Sequence, residues 1–134
     1  MYRTFTLALL LFAGLALGST TAQADPPPVG TAGVLGCYDW AKKYSKPAGS
    51  QFYPGPADTF LTATTFCRDI QIRPTAGRYV KVCFKPSVGA EYCQVGYKYA
   101  AANTWTVIAT AVQDKTKFYF KFQSSAASIG QWAA

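Results

Sequence analysis

Residues 79–99 read YVKVCFKPSVGAEYCQVGYKY, and this stretch decides the fold. From Tyr79 to Lys85 apolar and polar side chains alternate, the period of a strand with one face in a core and the other in water. Pro86-Ser87-Val88-Gly89-Ala90 supplies turn chemistry, and a second run follows from Tyr92 to Tyr99. If Cys83 faces Cys93 across this hairpin, Phe84 falls opposite Tyr92 and Lys85 opposite Glu91, an aromatic pair and an opposite-charge pair. The facial parity conflicts: Val80, Val82 and Phe84 form one apolar face, while Cys93, Val95, Tyr97 and Tyr99 form another of opposite parity. A bulge would reconcile them.

Outward from the hairpin the same pattern recurs. Thr62 to Cys67 is rich in threonine, and Cys67 to Arg73 alternates Ile70 and Ile72 with polar neighbours. Trp105 to Val112 and Lys117 to Gln123 follow, the latter with Phe118, Phe120 and Phe122 on one face, and Ile129 to Trp132 offers a terminal strand. Trp105 and the three phenylalanines are expected in the core. Six to seven short strands with turns between them, and almost no helical period, predict an all-β fold. The expected form is an antiparallel β-sandwich, Ig-like, or a small barrel, braced by two disulfides.

Upstream, Ala32 to Lys43 is mixed, and Ser45 to Asp58 carries so much proline and glycine that an irregular loop is expected over 45–58. Residues 25–33, with Pro26-Pro27-Pro28, read as a flexible proline-rich lead. Met1 to Ala24 places Arg3 before an apolar run from Phe5 to Leu17 and ends in Ala22-Gln23-Ala24, the order of a secretory signal peptide. The apolar run is short of the roughly 20 residues a membrane-spanning helix needs. Cleavage after Ala24 would leave about 110 residues and a charge of about +6, enough for one β-domain over 34–134.

All four cysteines lie in the exported part, and an even count in a small secreted chain reads as two disulfides. The favoured pairing is Cys37–Cys67 with Cys83–Cys93. The alternative joins Cys67 to Cys83 across Arg73-Pro74-Thr75-Ala76-Gly77, sets Ile70 opposite Val80, and leaves Cys37 to reach Cys93. Zinc is disfavoured, since there is no C-x-x-C pair and no histidine in the 134 residues.

The elements Cys67-Arg68-Asp69-Ile70, Val82-Cys83-Phe84, Tyr92-Cys93, Trp105-Thr106-Val107 with Ala109-Thr110, and Asp114 with Thr116 and Phe118 resemble small secreted proteins of high-GC Gram-positive bacteria. The resemblance spans roughly residues 65–123. It implies a compartment and a β-rich fold, and no catalytic residue.

The absence of histidine excludes His-dependent triads and His-ligated metals. Beyond the signal segment, six carboxylates remain (Asp25, Asp39, Asp58, Asp69, Glu91 and Asp114), none in a motif that would pair them for general acid–base work. No G-x-S-x-G elbow or phosphate loop appears. The expectation is a protein that is not an enzyme and needs no cofactor or metal. It would be a secreted monomer that binds a cell-wall or extracellular carbohydrate, or a protein surface, through loop aromatics. Candidate contacts are Trp40, Tyr44, Phe52 and Tyr53, with Lys42 and Lys43 beside them. The formal charge of +7 adds a weak, salt-sensitive attraction to an anionic wall or membrane surface. A nucleic-acid partner is not expected, since no recognition helix or zinc finger is present. An extracellular inhibitor or antagonistic toxin, with Gln51 to Pro56 as its reactive segment, is the alternative.

Overall fold

The computed structural model describes residues 36–55 and 59–134. The signal segment, the proline-rich lead, and Pro56 and Asp58 of the expected loop lie outside the described residues. Ten strands occur among those described: β1 (Lys42–Lys46), β2 (Phe52–Tyr53), β3 (Leu61–Thr62), β4 (Ile70–Pro74), β5 (Arg78–Lys85), β6 (Tyr92–Cys93), β7 (Lys98–Ala100), β8 (Thr106–Ala109), β9 (Lys117–Phe122) and β10 (Ser128–Ala133). They form two antiparallel sheets, one ordered β1-β10-β4-β8 and the other β2-β9-β5-β6, with β3 also on β9 and β7 also on β5.

Alternation dictates what lies between the sheets. Phe118, Phe120 and Phe122 of β9 and Val80 and Val82 of β5 are wholly buried, facing Tyr44, Ile70, Ile72, Ile108 and Trp132. At roughly 1.5–3 kcal/mol per fully buried large apolar side chain, the three phenylalanines are a main source of cohesion. Phe118 meets Phe120 and Trp132 edge-on, at 5.6 and 5.9 Å between centroids. Trp105 is only half-buried. It stacks on Tyr38 at 4.7 Å within a smaller cluster around Cys37, Cys67 and Ala133, under a helical turn over 36–39.

Both favoured disulfides are present, Cys37–Cys67 and Cys83–Cys93. The alternative fails for a topological reason: β4 and β5 follow each other in sequence but enter different sheets, and Ile70 lies opposite Ala109 instead of Val80. The hairpin has the expected register at Cys83 opposite Cys93 and Phe84 opposite Tyr92, but pairing stops there: Glu91 lies outside β6, and the expected Lys85–Glu91 ion pair is not formed. Its parity conflict is resolved between β6 and β7, where β5 continues from Val82 to Val80 while the partner runs from Gln94 to Lys98 before pairing resumes. Gln94 fills the break. Its backbone N–H donates to the Val82 carbonyl, its side-chain oxygen accepts from the Val82 N–H, and its Nε2 donates to the Ile108 carbonyl.

Three expectations change. Of the 62–67 region only Thr62 is strand, as the second residue of β3. The span Tyr92 to Tyr99 is two strands rather than one. Residues 45–58 are not one loop: β1 runs through Lys46, β2 occupies Phe52–Tyr53, and Gly49, at φ 90°, makes the intervening turn.

Lys46 explains how that turn holds. The side chain is 1% exposed, and its ammonium donates to the carbonyls of Ser50 (2.6 Å) and Ala126 (2.5 Å) while lying 5.1 Å from the Phe122 ring centroid. A buried cation needs such partners to offset its lost hydration. Burial, and then the charge of Arg78, pull its pKa down.

Candidate functional site

The six side chains singled out from the sequence do not form one surface. Tyr44 is a correction. It is 3% exposed, its hydroxyl is hydrogen-bonded to Ser128 Oγ at 2.8 Å, and its ring packs on Tyr53 and Phe122. Tyr53 is half-buried and points to the same interior. The reason is alternation: Tyr44 in β1 and Tyr53 in β2 fall on the core-facing positions of strands that proline and glycine content had concealed.

Trp40 is 57% exposed and stacks on Phe66 at 4.6 Å, near the Cys37–Cys67 bridge. Lys42 lies over the Trp132 ring, 5.5 Å from its centroid, and Lys43 is exposed on the outer side of the four-stranded sheet, opposite Gln131. Phe52, 41% exposed, belongs elsewhere, on the outer face of the six-stranded sheet opposite Lys121.

That outer face is the more organised surface. Residues directly opposite each other in a sheet share a face, so the register defines cross-strand rows about 7 Å apart. The first row is Tyr79 and Tyr99, with rings 5.1 Å apart and about half of each in water. The second is Phe52, Lys121 and Lys81, the Lys81 ammonium resting 4.5 Å above the Tyr97 ring. The third is Tyr119, Cys83 and Cys93. The fourth is Thr62, Lys117 and Lys85, with the Lys85 ammonium 4.3 Å above the Phe60 ring.

Rows of lysines thus alternate with rows of rings and sulfur. Lys81 stands opposite Lys121, and Lys85 opposite Lys117, two like-charge pairs on neighbouring strands. None of the four has an ion-pair partner among the described residues. Glu91 beside this face is engaged by Tyr119: burial first, and then the charge of Glu91 and a hydrogen bond to it, raise the pKa of the Tyr119 phenol.

The face runs at one end into a groove of about 1020 Å³ between the 86–91 turn and the 110–116 loop. Phe84, Tyr92 and Val112 line it, with Lys85, Lys115 and Lys117 supplying cations and Asp114 one carboxylate. Lys85 and Lys117 therefore belong to both face and groove. The loop wall is fixed by Asp69, whose Oδ1 accepts the Ala111 N–H at 2.9 Å, with Ala111 and Lys115 in left-handed backbone conformations (φ 52° and 66°).

A faint signal for the lysines existed in the sequence. Positions 81 and 85, and 117 and 121, are each four apart in alternating segments, so each pair lies on the polar face of its strand. Among the described residues no group of three histidine, cysteine, aspartate or glutamate side chains is placed to hold a metal. No protein-family model, curated protein or solved structure matches the chain, so the surface itself carries the functional argument.

Proposed function

We propose that this protein is a secreted, non-enzymatic binding module that holds an extended extracellular polymer across the outer face of its six-stranded sheet. One observation carries the reading: Phe52, Phe60, Tyr79, Tyr97, Tyr99 and Tyr119 gather on that face, and Tyr79, Tyr99 and Phe52 keep between 41% and 56% of their surface in water. Rigid rings give contact area at low entropic cost, and a strand-pinned set of them presents a preformed surface to a sugar polymer. The two disulfides suit an oxidising, extracellular environment. Secretion itself rests on the signal-like segment Met1 to Ala24, and the bacterial setting on the residues that resemble small secreted proteins.

The inhibitor reading has less support. Its proposed reactive segment is tied down, since the Gln51 carbonyl accepts the Phe122 N–H and Phe52 pairs with Lys121. Binding of Tyr79→Ala, Phe52→Ala and Trp40→Ala variants to an array of wall and extracellular polysaccharides tests the proposal. Loss in the first two with Trp40→Ala unaffected is expected. Loss confined to Trp40→Ala would move the site to the Trp40–Phe66 stack and overturn it.

A further inference from the structure

We infer that the outer face of the six-stranded sheet is a binding site for an acidic polysaccharide, whose carboxylate or sulfate groups are held by the lysine pairs Lys81/Lys121 and Lys85/Lys117. This rests on the reading of the face as a polymer-binding surface and adds the chemical class of the ligand.

Like charges directly opposite on neighbouring strands destabilise a sheet, and here two such pairs stand one above the other without carboxylate partners among the described residues. An anion between them removes the repulsion and gains two attractions.

The spacing points to a polymer instead of a small anion. Lys81 and Lys85 are four residues apart in one strand, as are Lys117 and Lys121, which sets the two pairs about 13 Å from each other. A ligand that satisfies both must carry negative charge at intervals along its length. Lys115, on the groove beyond Lys85 and Lys117, continues the same positive path.

The choice of side chain is also informative. Lysine is a point charge with no planar fork, so it accepts carboxylate or sulfate in many orientations and reads charge spacing more than shape.

The rings select among polyanions. Lys81, Lys85 and Lys121 lie over Tyr97, Phe60 and Phe52 at 4.5, 4.3 and 5.7 Å. A nucleobase needs an open ring to stack on beside its phosphate, and the rings next to the lysine pairs, Tyr97, Phe60 and Phe52, each carry a cation on one side, leaving Tyr79 and Tyr99 at one end of the face as the open rings. Insertion of the same rings into a bilayer would drag the ammonium groups out of water. A sugar acid keeps both partners: its anionic group meets the ammonium while its C–H surface lies along ring edges and on the open Tyr79–Tyr99 pair.

The test titrates the purified, disulfide-intact protein with dextran sulfate and polygalacturonate, using unsubstituted dextran as the neutral control, in about 0.1 M and about 1 M salt. The variants are Lys81→Gln with Lys121→Gln, Lys85→Gln with Lys117→Gln, and Tyr79→Ala, each checked for an unchanged circular dichroism spectrum. Both charged polymers are expected to bind far more tightly than dextran. Each paired lysine variant should lose about tenfold in low salt, and high salt should erase most of the difference. Equal binding of dextran, lost in Tyr79→Ala, would leave the ring surface standing and overturn the acidic ligand. Tight polyanion binding indifferent to all four lysines would overturn the site. Lysine-dependent capture of polyphosphate, DNA or phosphatidylserine vesicles, with no polysaccharide bound, would overturn the ligand class. Failure to bind any of these polymers would end both this inference and the broader proposal.

Discussion

The opposed lysines make a thermodynamic prediction that requires no ligand. Consider replacing both lysines of β5 by glutamine (Lys81 and Lys85), both lysines of β9 (Lys117 and Lys121), and all four together. Lys81 faces Lys121 and Lys85 faces Lys117, and a like-charge pair of this kind costs between about 0.2 and 1 kcal/mol. Two unit charges 4 Å apart in water repel by about 1 kcal/mol, and by roughly half that at twice the distance. The latter is the better guide here, because Lys81 and Lys121 lean onto different rings, Tyr97 and Phe52. Two pairs at about 0.5 kcal/mol give a repulsive coupling of about 1 kcal/mol between the strands.

The separate variants obscure this quantity. Each also loses cation–ring contacts worth about 0.5–1 kcal/mol at exposed sites, so the stability change of one strand's variant alone should be near zero. The cycle removes those terms. Urea unfolding followed by tryptophan fluorescence should show the four-site variant less stable than the sum of the two separate changes predicts, by about 1 kcal/mol. The gap should shrink as salt rises from about 0.1 M to about 1 M. A coupling within error of zero, or one of the opposite sign, would show that the lysines are not in conflict and would remove the physical basis for an anionic ligand.

Three further outcomes are expected. In Gly130→Ala the new Cβ would run into the Arg73 carbonyl and come within 2.8 Å of the Pro74 Cα, so urea unfolding should show a loss of about 3 kcal/mol. In Gly77→Ala it would meet only the Tyr99 phenol tip, an exposed ring that can swing away, for less than about 1 kcal/mol. Replacing Cys83 and Cys93 by alanine, or Cys37 and Cys67, opens loops with sequence separations of 10 and 30. On the chain-entropy scale those changes cost about 2.7 and about 3.6 kcal/mol, and a reversed order in denaturant midpoints would contradict it.

The third outcome is alkaline. Burial raises the Tyr44 pKa above 10.0, against the opposing pull of Ser128 and Arg78, and Tyr119 is raised as well. Their contribution is complete below pH 10, and it falls above that as the unfolded chain releases protons the folded one retains. Lys46, lowered, acts in the opposite direction, its penalty fading as pH approaches 10.5. Tyr44→Phe should therefore flatten the loss of stability above about pH 10, and an unchanged slope would refute the assignment.

How much of this was legible in sequence depended on separation along the chain. The Cys83–Cys93 hairpin was readable because its register follows from a short turn and the Phe84–Tyr92 cross-strand pair. The pairing of β5 with β9 was not. It joins segments more than thirty residues apart, and only the packing of Phe118, Phe120 and Phe122 against Val80 and Val82 fixes which lysine meets which. The lysines therefore read as scattered. Tyr44 and Tyr53 occupy core-facing positions of short strands whose alternation is masked by the proline and glycine around Pro47 and Pro54. Trp40 does remain exposed, but a ring stacked beside a disulfide is a local feature, and a line of cations and rings crossing four strands is visible only once the sheet is assembled.

The pairing of β1 with β10 has a kinetic consequence. Lys42 aligns with Trp132 and Lys46 with Ser128, so the first described strand is zipped against the last. Closing so long a loop is entropically slow, and the four-stranded sheet cannot form until residue 133 is free to dock. The six-stranded sheet, by contrast, takes no strand after Phe122, so the face it carries can assemble before the other sheet is closed.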